Sequence, residues 1–235
     1  MAKFISIMSG KGGVGKTTTS INLAIAMSKK SDVILMDGNL SSPNISVHIG
    51  NPYFPITIHD VMQGLHPIQS AIHNHNGLKV IPADTTIESL KLVNFEKLKE
   101  TLQDLHLHAD YVIIDGSPGI GRETERLLEL SDEVLIVTNP DHASIMDAKR
   151  LADFAKRKKV IIIGVLVTKY KNRSYKISLE DREKLLEIGI IGVIKEDERF
   201  HKSIYKKIPF IHLYPRRKPV KTYNELASII TGRVL

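Results

Sequence analysis

The chain has no cysteine among its 235 residues. That excludes disulfides, thiolate metal centres and cysteine-ligated iron–sulfur clusters. Long hydrophobic runs are missing too. The longest, Val160–Val167 (VIIIGVLV), falls far short of the ~20 residues needed to span a bilayer. The apolar start is too short for a signal peptide before Lys11 and a glycine-rich segment intervene. No Ser/Pro/Gly-rich linker, low-complexity segment or internal repeat divides the sequence. These absences point to one cytoplasmic domain, residues 1–235, large enough to bury a sizeable core.

What the chain does have is positive charge, glycine in one place, and short apolar runs. The net charge is +7, from 33 Lys+Arg against 26 Asp+Glu. Its basic clusters come late: Lys156–Lys159, Lys169–Lys176 (KYKNRSYK), Lys206-Lys207 and Arg216–Lys218. Such patches suit nucleic acid, an acidic membrane or an acidic partner, and equally a solvated surface.

Residues 8–24 read MSGKGGVGKTTTSINLA. Lys3–Met8 before the glycines reads as a short buried strand. After them Ile21, Leu23, Ala24, Ile25 and Met27 fall near one side of a helical wheel, so a helix begins at about Lys16. A strand, a glycine loop and a helix N-terminus make an anion trap, because the first helical N–H groups lack intrahelical partners and the helix dipole favours negative charge there. Gly10, Gly15, Lys16 and Thr17 fit G-x-x-x-x-G-K-[ST], with Gly12, Gly13, Val14 and Thr18 completing the phosphate cradle. In that motif the lysine reaches the terminal phosphates and the Thr17 hydroxyl ligates Mg²⁺.

Further apolar runs at Val33–Met36, Leu78–Ile81, Tyr111–Ile114, Val134–Val137, Val160–Val167 and Ile190–Ile194 alternate with helical patterns. Runs without polar alternation mark strands buried on both faces. The expected fold is therefore α/β, a doubly wound and mostly parallel sheet covered by helices on both faces. Ligands in such folds sit at the carboxyl ends of the strands. Asp37 stands at one tip (DGNLSSPN) and Asp115 at another (DGSPGIG), where a carboxylate beside a phosphate loop serves Mg²⁺. In TNPDHAS, Asp141 or Ser144 is placed to cap a helix. Thr168 and Lys169 follow another strand and could border a nucleobase.

With these residues in hand, the chain resembles the MinD/ParA family of deviant Walker-A ATPases, and archaeal MinD-like proteins in particular. The motifs that carry the likeness are GKGGVGKTT (Gly10–Thr18), Asp37 with SSPNISVHIG, DYVIIDGSPGIG, DEVLIVTNPDHASIMDAKR and IGVIKEDERFHKSI. The resemblance implies ATP/ADP and Mg²⁺ as cofactors and an ATP-dependent homodimer with a protein partner. It implies that Lys16 binds the β- and γ-phosphates, that Thr17 ligates Mg²⁺, and that Asp37 and Asp115 organise the metal and its waters. Thr168 and Lys169 take the place of the adenine-side pair. Lys11, the family's signature lysine, would reach the partner subunit's nucleotide. Three departures stand out. Asn39 occupies the position of a second, water-orienting aspartate, which implies a slow ATPase. The loop after Asp115 looks like that of the iron–sulfur carrier branch, without its cysteines. The sequence ends at ITGRVL, so no membrane-targeting helix is expected.

The histidine pairs His73/His75 and His106/His108 invite a metal. H-x-H shares one side only in a strand, and the first pair reads as a turn, the second as a helix end. Tyr170, Tyr175, Tyr205 and Tyr214 lie among basic residues and could stack on nucleic acid or simply pack. The leading function is a nucleotide-switched ATPase. A ParA-like module binding nucleic acid through its basic half is one alternative, and an ATP-binding regulator with little hydrolysis another.

Overall fold

The computed structural model describes residues 1–90, 98–171 and 179–232. The chain starts with β1 (Lys3–Ser9), α1 (Lys16–Met27), β2 (Val33–Asp37), α2 (Ile45–Ile49) and α3 (Ile58–Met62). Next come β3 (His73–His75), β4 (Leu78–Ile81), α4 (Ile87–Leu90), α5 (Leu98–Leu102), β5 (Tyr111–Pro118) and α6 (Arg122–Leu130). Then follow β6 (Glu133–Thr138), α7 (His142–Arg157), β7 (Ile161–Tyr170) and α8 (Leu179–Leu186). Finally come β8 (Ile190–Lys195), α9 (Arg199–Tyr205), α10 (Phe210–Leu213) and α11 (Lys218–Thr231). The basic segment 172–178, with Tyr175, lies outside the described residues, as do 91–97 and 233–235.

The strands form one sheet in the order β3-β4-β2-β5-β1-β6-β7-β8, parallel throughout except at the β3–β4 edge. The pleat explains why these strands are apolar without alternation. In β1, Phe4 and Met8 enter one apolar layer while Ile5 and Ile7 enter the other. Ile34 and Met36 of β2 and Val112 and Ile114 of β5 join the first layer; Leu35 and Ile113 join the second. Helices α3, α5, α6 and α7 bury Met62, Leu98, Leu127 and Leu151 against the first layer. Helices α1, α10 and α11 bury Leu23, Phe210 and Leu226 against the second. Burying one such side chain is worth ~1.5–3 kcal/mol, so both faces hold the sheet. The chain winds one way after β1 and the other way after β5, which leaves a crevice at the strand tips around β1.

One local expectation fails. Residues His73–His75 are an edge strand, not a turn, and pair antiparallel with β4, His73 opposite Val80 and His75 opposite Leu78. The turn is Asn76-Gly77, with φ of 51° and 84°, the left-handed pair that a two-residue hairpin demands. A polar three-residue strand carries no hydrophobic signal, so the Asn-Gly was the only clue. The imidazoles go to main-chain carbonyls: His73 Nε2 lies 2.7 Å from Ile56 O, and His75 Nε2 lies 3.0 Å from Ile49 O. His106 Nδ1 lies 3.1 Å from Ala2 O. Of the two expected caps at α7, Asp141 takes the position and accepts the Ser144 N–H at 3.0 Å and the Ser144 hydroxyl at 2.7 Å. Among the described residues no helix is long and apolar enough to cross a membrane.

Candidate functional site

Residues 10–15 form the loop between β1 and α1. Gly10 is pressed against α7: a Cβ there would strike the Asp147 carbonyl and approach its Cβ to 2.7 Å. Gly15, at φ 93°, turns the chain into the helix in a conformation costly for any other residue. No side chain caps α1 and no acidic residue occupies its first turn. The helix start therefore offers its N–H groups and dipole without a capping side chain or an acidic residue of its own, as suits a phosphate site.

Asp115 is wholly buried and lies within β5, which runs on to Pro118 instead of ending at Ile114; it collects the polar side chains of α1. Its Oδ1 accepts from Lys16 Nζ at 3.0 Å and from Ser20 Oγ at 2.9 Å, and its Oδ2 accepts from Thr17 Oγ1 at 2.6 Å. Lys16 is itself only 7% exposed. A buried ammonium–carboxylate pair repays its desolvation only with further hydrogen bonds, and Thr17 and Ser20 supply them. Ser20 was not evident from sequence. Its clue is spacing: four residues after Lys16 on a helix, it faces the same way one turn later.

Asp37 sits beside Asp115, its register partner on the adjacent strand, and is equally buried. Its contacts differ. Oδ1 accepts the Asn39 N–H at 3.2 Å, and Oδ2 accepts the N–H groups of Asn44 at 2.9 Å and Ile45 at 3.0 Å. Burial first, and then the charge of Asp115, pushes its carboxyl up to about 7, against the pull of the Ile45 and Asn44 N–H groups and of Lys16. Asp37 thus ties loop 38–44 and the start of α2 to the sheet. Asn39 is buried, and its Nδ2 donates to Ser42 O, closing a turn within that loop.

A cleft of about 380 Å³ opens over the phosphate loop. Thr168 and Lys169 line it but also brace the loop: Thr168 Oγ1 donates to Val14 O, and Lys169 Nζ donates to Gly13 O at 2.7 Å. Thr168 also meets Asn139 Oδ1 at 3.0 Å, which joins the β6 tip to the site. The far wall, which the sequence reading passed over, comes from the β8 tip and α9: Lys195, Glu196, Asp197, Phe200 and His201. The strand-tip rule applied to β8 would have found it. Lys11 is exposed, outside the buried cluster. An ammonium, a hydroxyl oxygen and carboxylate oxygens converging at an uncapped helix start suit a polyphosphate with a hard divalent cation.

Sheet order, loop and buried Lys16–Asp115 cluster together define a P-loop nucleotide-binding protein. A family model described as an AAA domain matches residues 2–166. An uncharacterized ATP-binding protein of Methanocaldococcus jannaschii is 35% identical over 234 residues, 99% of this chain and 89% of that protein. The septum site-determining protein MinD of Pyrococcus horikoshii, solved with Mg-ADP, has a TM-score of 0.92 at 27% identity, covering 98% of this chain and 96% of that one. A chain of the MinC:MinD cell division complex of Aquifex aeolicus has a TM-score of 0.88 at 27% identity, covering 100% of this chain and 98% of that one. The chain belongs to the MinD/ParA family of ATPases.

Proposed function

We propose that this protein is an ATP-driven switch: Mg²⁺·ATP favours a sandwich dimer, slow hydrolysis releases it, and the two states differ in affinity for a partner protein. The convergence of Lys16, Thr17 and Ser20 on the buried Asp115 carries the nucleotide half of this reading. Lys16 would hold the terminal phosphates while Thr17, Asp115 and Asp37 serve the metal, which supplies charge stabilisation for phosphoryl transfer. The MgADP-bound MinD relative supports those cofactors, and the MinC:MinD complex supports a protein partner. Nucleotide shifts such an equilibrium only by its differential affinity for the two states, so the dimer must add contacts to ATP that the monomer lacks.

Lys11 is the residue for that contact, since its side chain is exposed beside the phosphate loop. An ammonium delivered by the other subunit would stabilise transition-state charge as an arginine finger does. Light scattering after size exclusion, run with turnover assays under ATP, ADP and no nucleotide, tests this. The expected result is a dimer with ATP alone. Lys11→Ala should weaken dimerisation or turnover and spare ATP binding by the monomer; loss of monomer binding would place the lysine in its own subunit's site.

A nucleic-acid module is the weaker reading. Within the late basic clusters, Lys158 pairs with Glu125 and Glu129, at 2.5 and 2.7 Å, so a phosphate there would have to compete with two carboxylates. Binding to random-sequence DNA that falls steeply with salt would favour the module.

A further inference from the structure

His48 has no role in the account above, yet it lines the same cleft as Thr17, Thr18, Asn39 and Asn44. It lies in the last turn of α2, whose start is fixed by the Asp37 carboxylate through the Asn44 and Ile45 N–H groups. The other end is fixed as well. Gly50, at φ 80°, lies so close to Lys207 that a Cβ would come within 2.9 Å of that side chain's Cβ. The imidazole is thus presented to the cleft by a helix clamped at both ends. It is half-buried, and burial, opposed by Asp115 and assisted by Lys16, holds it below the ordinary histidine value. At neutral pH it is an uncharged ring beside the phosphate loop.

Resting on the nucleotide-site reading, we propose that His48 is a proton-linked ligand of the terminal phosphate: it takes up a proton and donates a charge-assisted hydrogen bond when a triphosphate enters, and thereby discriminates ATP from ADP. Phosphate oxygens are acceptors only, so a cationic ring binds them more tightly than a neutral one. The sign follows from linkage. If the bound nucleotide favours the charged ring, triphosphate affinity rises as pH falls from the bound-state value to the free-state value, and is level outside that window. Other groups facing this space also titrate or carry charge. They are Lys16 on α1, Lys169 on β7, Tyr223 on α11, and Lys195, Glu196, Asp197 and His201 on the far wall, with Asp115 acting on the ring from the sheet and Asp37 and Lys207 at the two ends of α2. Bulk proton uptake would mix them, so the readout must be resolved by residue.

The experiment is NMR titration of the histidine ring protons in the full chain with Mg²⁺·β,γ-imido-ATP and with Mg²⁺·ADP, His48 being assigned by its absence in His48→Gln. The expected result is an upward shift of the His48 titration midpoint with the triphosphate and a smaller one with the diphosphate. In parallel, His48→Gln, which keeps a neutral donor, should bind the triphosphate analogue up to roughly 10-fold more weakly at pH 6 and equally at pH 8. Its ADP affinity should stay within about 2-fold. His48→Asn serves the same assignment if the Gln variant does not fold. An unmoved His48 midpoint with the analogue bound overturns the proposal and leaves the nucleotide site standing. No binding of the analogue to the wild-type chain at all would overturn both.

Discussion

Asp37 ends β2 and Asp115 lies within β5; the two stand opposite each other in register and are both wholly buried, yet they live in different chemical worlds. Side chains surround Asp115: an ammonium and two hydroxyls, all from α1. Main-chain N–H groups surround Asp37, all from loop 38–44 and the start of α2. The first carboxylate is balanced by a formal charge. The second is balanced mainly by main-chain dipoles, with a smaller pull from Lys16, and so its ionised form is the strained one. Asp115 belongs to the phosphate loop; Asp37 holds the segment that follows β2. An aspartate that follows an apolar run in a strand is therefore not one kind of residue. Its role is set by what the next helix brings to it.

The largest effect comes from removing the charge that sets Asp115 apart. Lys16→Ala should abolish ATP binding in isothermal titration, because Lys16 is the buried ammonium at the phosphate site. It should also cost stability, about 3–5 kcal/mol, by leaving a buried carboxylate without its cation. Adding Asp115→Asn to that variant should restore much of the stability and none of the binding. Full ATP affinity in Lys16→Ala would refute the site.

A smaller effect isolates Asp37. Its folded-state carboxyl is raised to about 7, above its value in the unfolded chain, so the folded protein binds the extra proton between those values. Stability should then fall as pH rises through that window and level off above it. The slope from this one group is at most ~1.4 kcal/mol per pH unit. Asp37→Asn keeps an acceptor for the loop N–H groups and cannot ionise. Denaturant melts from pH 4.5 to 7.5 should show the wild-type midpoint dropping relative to the variant. Parallel curves would mean that Asp37 is not strained by ionisation.

Much of this was legible before any coordinates. Gly10–Thr18 located the glycine loop between β1 and α1, and the apolar runs located the strands because a sheet covered on both faces leaves no room for alternation. Asp37 was legible as a strand tip, and Asp115 as a carboxylate closing an apolar run, although β5 continues past it to Pro118. Their different surroundings were not, since these depend on loop 38–44 folding back and on Ser20 lying a turn beyond Lys16. The far wall from β8 and α9 joins the site only through the sheet order, a long-range fact that no local window holds. The edge strand β3 was hidden by its own polarity.

The last and smallest effect concerns Asn39, which lies between the two environments. Its main-chain N–H leans on Asp37 while its amide nitrogen closes a turn onto Ser42 O. An aspartate there could accept a proton from the attacking water, whereas an amide can only orient it. Phosphoryl transfer through a loose transition state depends mostly on positioning and charge, so the base adds less here than the ~10²–10⁴-fold such groups reach elsewhere. Asn39→Asp also removes the donor to Ser42 O and sets a third carboxylate beside Asp37 and Asp115. That should cost about 1 kcal/mol without nucleotide and be relieved once Mg²⁺ is bound. The expected outcome in single-turnover hydrolysis is a several-fold increase over wild type, together with a lower melting temperature in the absence of Mg²⁺·ATP. Equal rates with the lower melting temperature would make Asn39 a turn residue alone, and would move it wholly to the Asp37 side of the comparison.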